Sequence, residues 1–476
     1  MGNLKKSVLI LDSSMKDKNL WNNIGLRISK NFNISFLYEN IGIESIKRTD
    51  LYDKGLLDLP LSIDTTADHF FYLFETLFSR IDIYGSMSFD LKRLYAHRYI
   101  TYWIQFIKYN SIVMVISPVA PHRVFDFSLL IACQMLGINY VSFQTTPIDK
   151  QLFLIDKFYD SDQFIFEHDF KSHGLKEKIK NDVARRSGTY EKALPNYEKK
   201  NILANKNQIK KTLNFSRKFF QDKYKFWSSF KLPKNLIKGG HIAPFDYASY
   251  LICKNRRLKS LKKYYEKNTS SVDVNKEYIF FPLHYQPEET TCPSGGIYSN
   301  QLLVLDKLLQ IGSQDTLIYV KEHRTQFNNN YNGDLGRKKD FYDFLIQHPR
   351  VKLVDMNIDQ FLLVDNSKMV ATVTGTVAYE SFCRNIKSVL FGRTWLNGLT
   401  NVHKYSSVSK LQNFYNGNKV YLSVDQKEKE IFQIMKNSFS SVHDENYENL
   451  YGRPLKDDEE NLFIAIINYI EKKNVL

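Results

Sequence analysis

The chain has 476 residues and a mass of 56.0 kDa, more than one hydrophobic core ordinarily serves, so two domains of about 200 residues each are expected. Hydrophobic residues make up 43% and charged residues 25%, ordinary for a soluble globular protein, and only 20 Gly and 12 Pro exclude collagen-like, mucin-like and linker-dominated chains. The formal net charge of +15 is concentrated: residues 171–270 hold 26 Lys and Arg against 7 Asp and Glu, and the rest of the chain is slightly acidic.

In chain order, Ser7–Leu11 and Ile34–Tyr38 read as short strands, and Phe70–Leu77 and Leu91–Lys108 have helical spacing. Ser111–Ile116 is a β-branched run of the kind buried in parallel sheets. It stops at Ser117-Pro118, a helix follows over Phe125–Leu136, and after Gly137 comes a strand over Tyr140–Phe143. That succession is a βαβ unit. In such sheets ligands sit beyond the carboxyl ends of the strands, which points to Pro118–Arg123 and Gln144–Asp149.

Residues 160–270 read as mostly helical, polar and basic. A second α/β rhythm then alternates strands at Tyr278–Pro282, Thr316–Val320, Val351–Leu353, Met369–Val373 and Ser388–Phe391 with helices at Asn300–Leu309, Phe341–Gln347, Ile358–Asp365 and Thr376–Asn385. A last helix, Glu459–Lys473, follows a Gly-Arg-Pro break. The expected organisation is therefore an α/β chain of two Rossmann-like domains facing a cleft. Residues 1–160 form the first, 161–275 a basic helical extension of it, 276–452 the second, and 453–476 a helix packing back on the first.

Four widely separated cysteines, Cys133, Cys253, Cys292 and Cys383, fit a reducing compartment and exclude a disulfide scaffold. No apolar run approaches the ~18 residues of a spanning helix. The expected location is cytoplasmic, peripheral on the inner face of the membrane. The basic stretch, interleaved with aromatics such as Phe219, Phe220, Tyr224 and Trp227, suits solvated helices, an anionic lipid surface or a nucleic-acid groove. No zinc-finger, helix-turn-helix or RNA-recognition signature accompanies it, which weighs against nucleic acid.

Three clusters in the second half each follow a predicted strand. The first is His284-Tyr285-Gln286-Pro287-Glu288, the second Lys321-Glu322-His323-Arg324, and the third Thr374-Gly375-Thr376 leading into a helix with Glu380. A Thr-Gly-Thr turn at a helix start offers backbone N–H groups, hydroxyls and the positive end of the helix dipole to a phosphate. Glu380 lies one helical turn along, where a carboxylate would accept ribose hydroxyls. His323, with Lys321 on its side of the strand and Glu322 on the other, suits stabilisation of a leaving phosphate. Capping by the threonines and an exposed charged loop at 321–324 are the structural alternatives. Zinc ligation by His284 and His323 lacks any short His spacing, and no metal or cofactor is expected.

Taken together, YIFFPLHYQPEETTCPSGGIYSNQ, LIYVKEHR and VATVTGTVAYESFCRNIKSVLFG resemble the bacterial capsule and surface-polysaccharide biosynthesis proteins, glycosyltransferase-like proteins of GT-B architecture. SPVAPHRVFDFSLLIACQMLGINYVSFQTT resembles the same family's strand, Pro-His loop and helix. The resemblance implies a nucleotide-sugar donor on the second domain and a glycan or lipid-linked glycan acceptor on the first. It places His323 and Thr374, Gly375 and Thr376 at the donor phosphate, Glu380 near the nucleoside, and His284 and Glu288 along the cleft. Arg324 stands where the family motif has Pro, an added cation that favours a diphosphate donor. On the acceptor side the candidate bases are His122, Asp126 and Asp149, with Asp12 further back. His122 and Asp126 are favoured because a spacing of four lets one orient the other. A nucleotide-sugar epimerase or hydrolase of the same fold, and a non-catalytic glycan- or nucleic-acid-binding protein, are the other function classes.

Overall fold

The computed structural model describes residues 6–11, 19–39, 65, 68–80, 87–158, 165–167, 174–190, 244–287, 291–328 and 333–476. Twelve strands lie in these residues: β1 (Ser7–Leu11), β2 (Ser35–Glu39), β3 (Ile112–Ser117), β4 (Asn139–Thr145), β5 (Gln151–Ile155), β6 (Tyr278–Pro282), β7 (Leu317–Lys321), β8 (Val351–Val354), β9 (Met369–Thr372), β10 (Ser388–Leu390), β11 (Val402–Lys404) and β12 (Phe439–Ser440). They form two six-stranded sheets, ordered β12-β5-β4-β3-β1-β2 and β11-β10-β9-β6-β7-β8.

The first sheet is parallel from β2 through β1 and β3 to β4, and antiparallel at β5 and β12. Its strands are apolar on both faces because helices cover both. Leu9 and Val115 pack among helices 71–79, 89–109 and 124–136, whereas Val8, Ile10 and Met114 pack against helices 19–32 and 456–473. Helix 124–136 ends at Gly137, whose φ of 67° is a conformation only glycine adopts cheaply; Ile138 N–H then closes on the Cys133 carbonyl at 2.8 Å.

The second sheet is wholly parallel. Renumbered within the domain, its order is 3-2-1-4-5-6, the doubly wound arrangement, and the order of strand addition reverses between β6 and β9. Ile279, Phe281, Val320 and Ala371 face one layer of helices, and Phe280, Tyr319 and Val370 face the other.

A separate buried cluster joins the halves. Phe153 and Ile155 of β5, Ile179 and Val183 of helix 175–187, Tyr379 and Phe382 of helix 377–383, Trp395, and Ile431 of helix 424–435 pack together. The chain returns to the first sheet through β12, and helix 456–473 then lies against helix 19–32, with Arg27 donating to Glu460 at 2.9 Å. Of the basic stretch, residues 174–190 and 244–270 are described. Among the described residues no helix is long and apolar enough to cross a membrane.

Candidate functional site

The carboxyl ends of β6, β7 and β9 lie side by side, and each carries one of the clusters noted above. The reversal point between β6 and β9 is the crevice where doubly wound sheets take their ligands. His284, just past β6, spans it. Thr374 N–H approaches His284 Nε2 at 3.4 Å, with Nε2 as the accepting nitrogen. Thr372 Oγ1 is hydrogen-bonded to the same Nε2 at 2.9 Å and accepts from Gly375 N–H at 3.1 Å. Gly375 is obligatory for this closeness: a Cβ there would stand 2.6 Å from Thr372 Oγ1 and 3.2 Å from His284 Cε1.

This geometry corrects one expectation about the turn. The Thr374 and Gly375 amides, expected to be open to a phosphate, are directed within the protein to His284 and Thr372. Thr374 and Gly375 are half-buried and Thr376 is exposed at the start of helix 377–383.

His323 follows β7 and is half-buried. Its Nδ1 accepts from Thr325 N–H at 3.3 Å and lies 2.8 Å from Thr325 Oγ1, which puts the ring proton on Nε2, the form that donates to an anion. Glu322 points into the core, as strand alternation requires. It accepts from His323 N–H at 2.8 Å, Arg337 Nε at 3.2 Å and the Tyr342 hydroxyl at 2.6 Å. Lys321 is also buried: its ammonium donates to the Ile358 carbonyl at 2.5 Å, and burial, aided by Arg324, lowers its pKa to about 8. Arg324 is exposed and lies over the Tyr190 ring, 4.8 Å from its centroid.

Glu380 is buried and differently employed from the expected ribose contact. One oxygen accepts from Arg186 at 3.3 Å and the other from Gln360 at 2.9 Å. Burial pushes its carboxyl above the usual range, with Arg186 opposing the shift. The carboxylate thereby ties helix 377–383 to helix 175–187.

On the first domain, His122 and Asp126 are both buried and adjacent, as the spacing of four suggests, and they meet chiefly through the backbone. Asp126 Oδ1 accepts from the backbone amides of His122 at 3.1 Å and Arg123 at 2.7 Å, capping helix 124–136. The His122 ring instead directs Nδ1 to the Ala120 carbonyl at 2.8 Å, with Asp126 Oδ2 at 3.8 Å. The cap was the stronger demand because the first helical amides have no partner of their own. Burial raises the Asp126 pKa, and His122 opposes the shift. Asp149 is further along: it meets the Tyr451 hydroxyl at 3.4 Å, and its backbone carbonyl accepts from Lys178 at 3.1 Å. Asp12 and Glu288 lie outside the described residues.

Residues that sequence reasoning missed draw these parts together. Arg80, closing helix 71–79, donates to the His122 carbonyl and, at 3.0 Å, to the Cys292 carbonyl in the loop after β6. Cys292 is buried in the first domain's core, where its thiol pKa rises to about 11. The Pro118–Arg123 loop of the first domain and the loop after β6 are therefore bolted to one guanidinium. Arg186, the second of an Arg-Arg pair, and Arg337, beside two lysines, stand in charged stretches with no spacing to distinguish them from solvated residues. Among the described residues no three His, Cys, Asp or Glu side chains gather as a metal site.

The two Rossmann-like domains facing a cleft make a GT-B-type fold. No protein-family model and no curated protein matches the chain. Among solved structures it is similar to Thermosulfurimonas dismutans KpsC, described as a beta Kdo 2,7 transferase, at 10% identity over 98% of this chain and 99% of that one, with a TM-score of 0.32. It is also similar to the UDP-GlcNAc 2-epimerase of Methanocaldococcus jannaschii at 10% identity, over 90% of this chain and 99% of that one, with a TM-score of 0.25. The Neisseria meningitidis UDP-GlcNAc 2-epimerase, in a structure bound to UDP-GlcNAc, follows at 11% identity, over 90% and 98%, with a TM-score of 0.24. These likenesses are distant, and the fold stands on the strand order described above.

Proposed function

We propose that this protein is a glycosyltransferase that moves a sugar from a nucleotide-activated donor to a growing bacterial surface glycan, of capsule, O-antigen or similar type. The observation that carries the reading is the meeting of His284 with Thr372 and Thr374 at the β6/β9 reversal point, with His323 at the neighbouring strand end. The motif resemblance of the same segments supports it. In this reading the hydroxyls of Thr374 and Thr376, rather than the turn's amides, and the Nε2 proton of His323 hold the donor phosphate. His122, on the facing loop, takes the proton of the acceptor hydroxyl. The acceptor oxygen bonds to the anomeric carbon as the bond from that carbon to the phosphate oxygen breaks, and His323 stabilises the charge left on phosphate.

A thermal-shift screen of the full chain against CMP, UDP, GDP and dTDP tests donor binding. A nucleotide at 100 times its Kd stabilises the fold by about 2.7 kcal/mol. With a sugar nucleotide and glycan acceptor, His323→Ala should lower turnover by about 100-fold. Wild-type turnover in that variant would refute the donor-site assignment, and donor conversion without acceptor would mark an epimerase or hydrolase instead. We further propose that the basic stretch holds the enzyme on anionic membrane, where lipid-linked acceptors lie, at about 1 kcal/mol for each Lys or Arg near the surface. Equal sedimentation with neutral and anionic vesicles would contradict this.

A further inference from the structure

We infer that Glu322 and Arg337 are a positioning pair that sets His284 and His323 in one constellation, an inference that rests on the donor-site reading above. The two side chains are 0% and 3% exposed, with Arg337 Nε 3.2 Å from Glu322 Oε2. A buried ion pair is a poor source of stability, because desolvation offsets the attraction. Its hydrogen bonds say what it does. Glu322 Oε1 holds the backbone amide of His323 at 2.8 Å, and Arg337 Nη2 donates to the backbone carbonyl of His284 at 3.0 Å. One ion pair thus grips the main chain of both histidines, which leave different strands.

The surroundings keep the pair from shifting. Tyr342 donates to Glu322 Oε2 at 2.6 Å, and the Tyr265 hydroxyl accepts from Glu322 N–H at 3.0 Å. The Arg337 guanidinium lies over Phe341, 4.2 Å from the ring centroid. Gly336 presses so closely on the His284 loop that a Cβ would come within 2.2 Å of the Gln286 carbonyl carbon. Each ring is oriented separately, His284 by Thr372 and His323 by Thr325. The pair fixes the backbones and the threonines fix the rings, a division that holds donor groups to the tolerance catalysis needs.

A positioning role acts through the residue positioned, so its loss is non-additive with loss of that residue. The test is isothermal titration of the full chain with CMP, UDP, GDP and dTDP. The proteins compared are wild type, Glu322→Gln, Tyr342→Phe, His323→Ala and the two double variants carrying His323→Ala. Tyr342→Phe removes one hydroxyl and keeps the core volume, so it reports even if Glu322→Gln fails to fold. For the nucleotide that wild type binds, Glu322→Gln should weaken Kd about tenfold and Tyr342→Phe about threefold, shrinking to within about twofold in the His323→Ala background. Losses that multiply independently in the double variants would overturn the inference and leave a merely structural pair. Absence of binding by wild type, or wild-type binding by His323→Ala, would instead overturn the donor-site reading, and the inference with it.

Discussion

Arg186 and Glu380 lie 194 positions apart in the chain and 3.3 Å apart in space, the guanidinium shared with Asp182 on its own helix at 2.9 Å. The basic extension is therefore fastened to the helix that begins at the Thr374–Thr376 turn. Arg186→Met would leave Glu380 buried without its cation, while Asp182 keeps Arg185, and should cost about 3 kcal/mol in urea unfolding. Burial already raises the Glu380 pKa, so its folded form holds a proton more tightly than its unfolded form and loses stability as pH rises through the folded value. Without Arg186 that loss deepens, so the deficit of the variant should be larger at pH 7 than at pH 5. An equal deficit at both would contradict the pairing.

Gly375→Ala probes the reversal point. The new Cβ meets Thr372 Oγ1 at 2.6 Å, so the turn must open and release the Thr372 link to His284. The expected cost is about 1–3 kcal/mol of stability, typical of overpacking. Nucleotide affinity should fall as well. Unchanged melting and affinity would mean that the close approach has no consequence.

Asp126→Asn separates capping from acid–base chemistry. An amide oxygen can still accept from His122 and Arg123, so the variant should fold within about 1 kcal/mol of wild type and keep most of its transfer activity. Asp126→Ala should lose about 0.5–2 kcal/mol through the cap. Lost transfer in a fully stable Asn variant would return Asp126 to a chemical role.

Lys321 offers a pH test with a definite sign. Burial lowers its pKa from 10.5 to about 8, so the folded chain sheds this proton before the unfolded chain does. The cost of the buried ammonium is fully present below pH ~8 and is relieved as pH rises toward the unfolded value. At neutral pH it amounts to about 3 kcal/mol. Lys321→Met should therefore gain stability over wild type at pH 7, and the gain should shrink between pH 8 and 10 in chemical denaturation. A gain independent of pH would contradict the shift.

The fold was largely legible in the sequence. β-branched and aromatic runs such as SIVMVI and YIFFP mark strands buried on both faces, and Gly137 marks a helix stop. The clusters at His284, His323 and Thr374 could be placed because strand ends are where doubly wound folds put ligands. β5 and β12 were not legible: Gln151–Ile155 is apolar like any core run, and Phe439–Ser440 is a strand only by pairing with it. The partners of the site were invisible for a related reason. Glu380, Asp126 and Lys321 are each drawn to a residue or carbonyl distant in the chain or to a helix end, and side-chain spacing carries no record of those demands.

The most direct test of the donor-site claim is a crystal structure of the full chain with whichever of CMP, UDP, GDP or dTDP raises its melting temperature most. The account predicts phosphate oxygens within about 3 Å of the Thr374–Thr376 turn and of His323 Nε2, with His284 beneath them. A nucleotide seated away from the carboxyl ends of β6, β7 and β9 would contradict it.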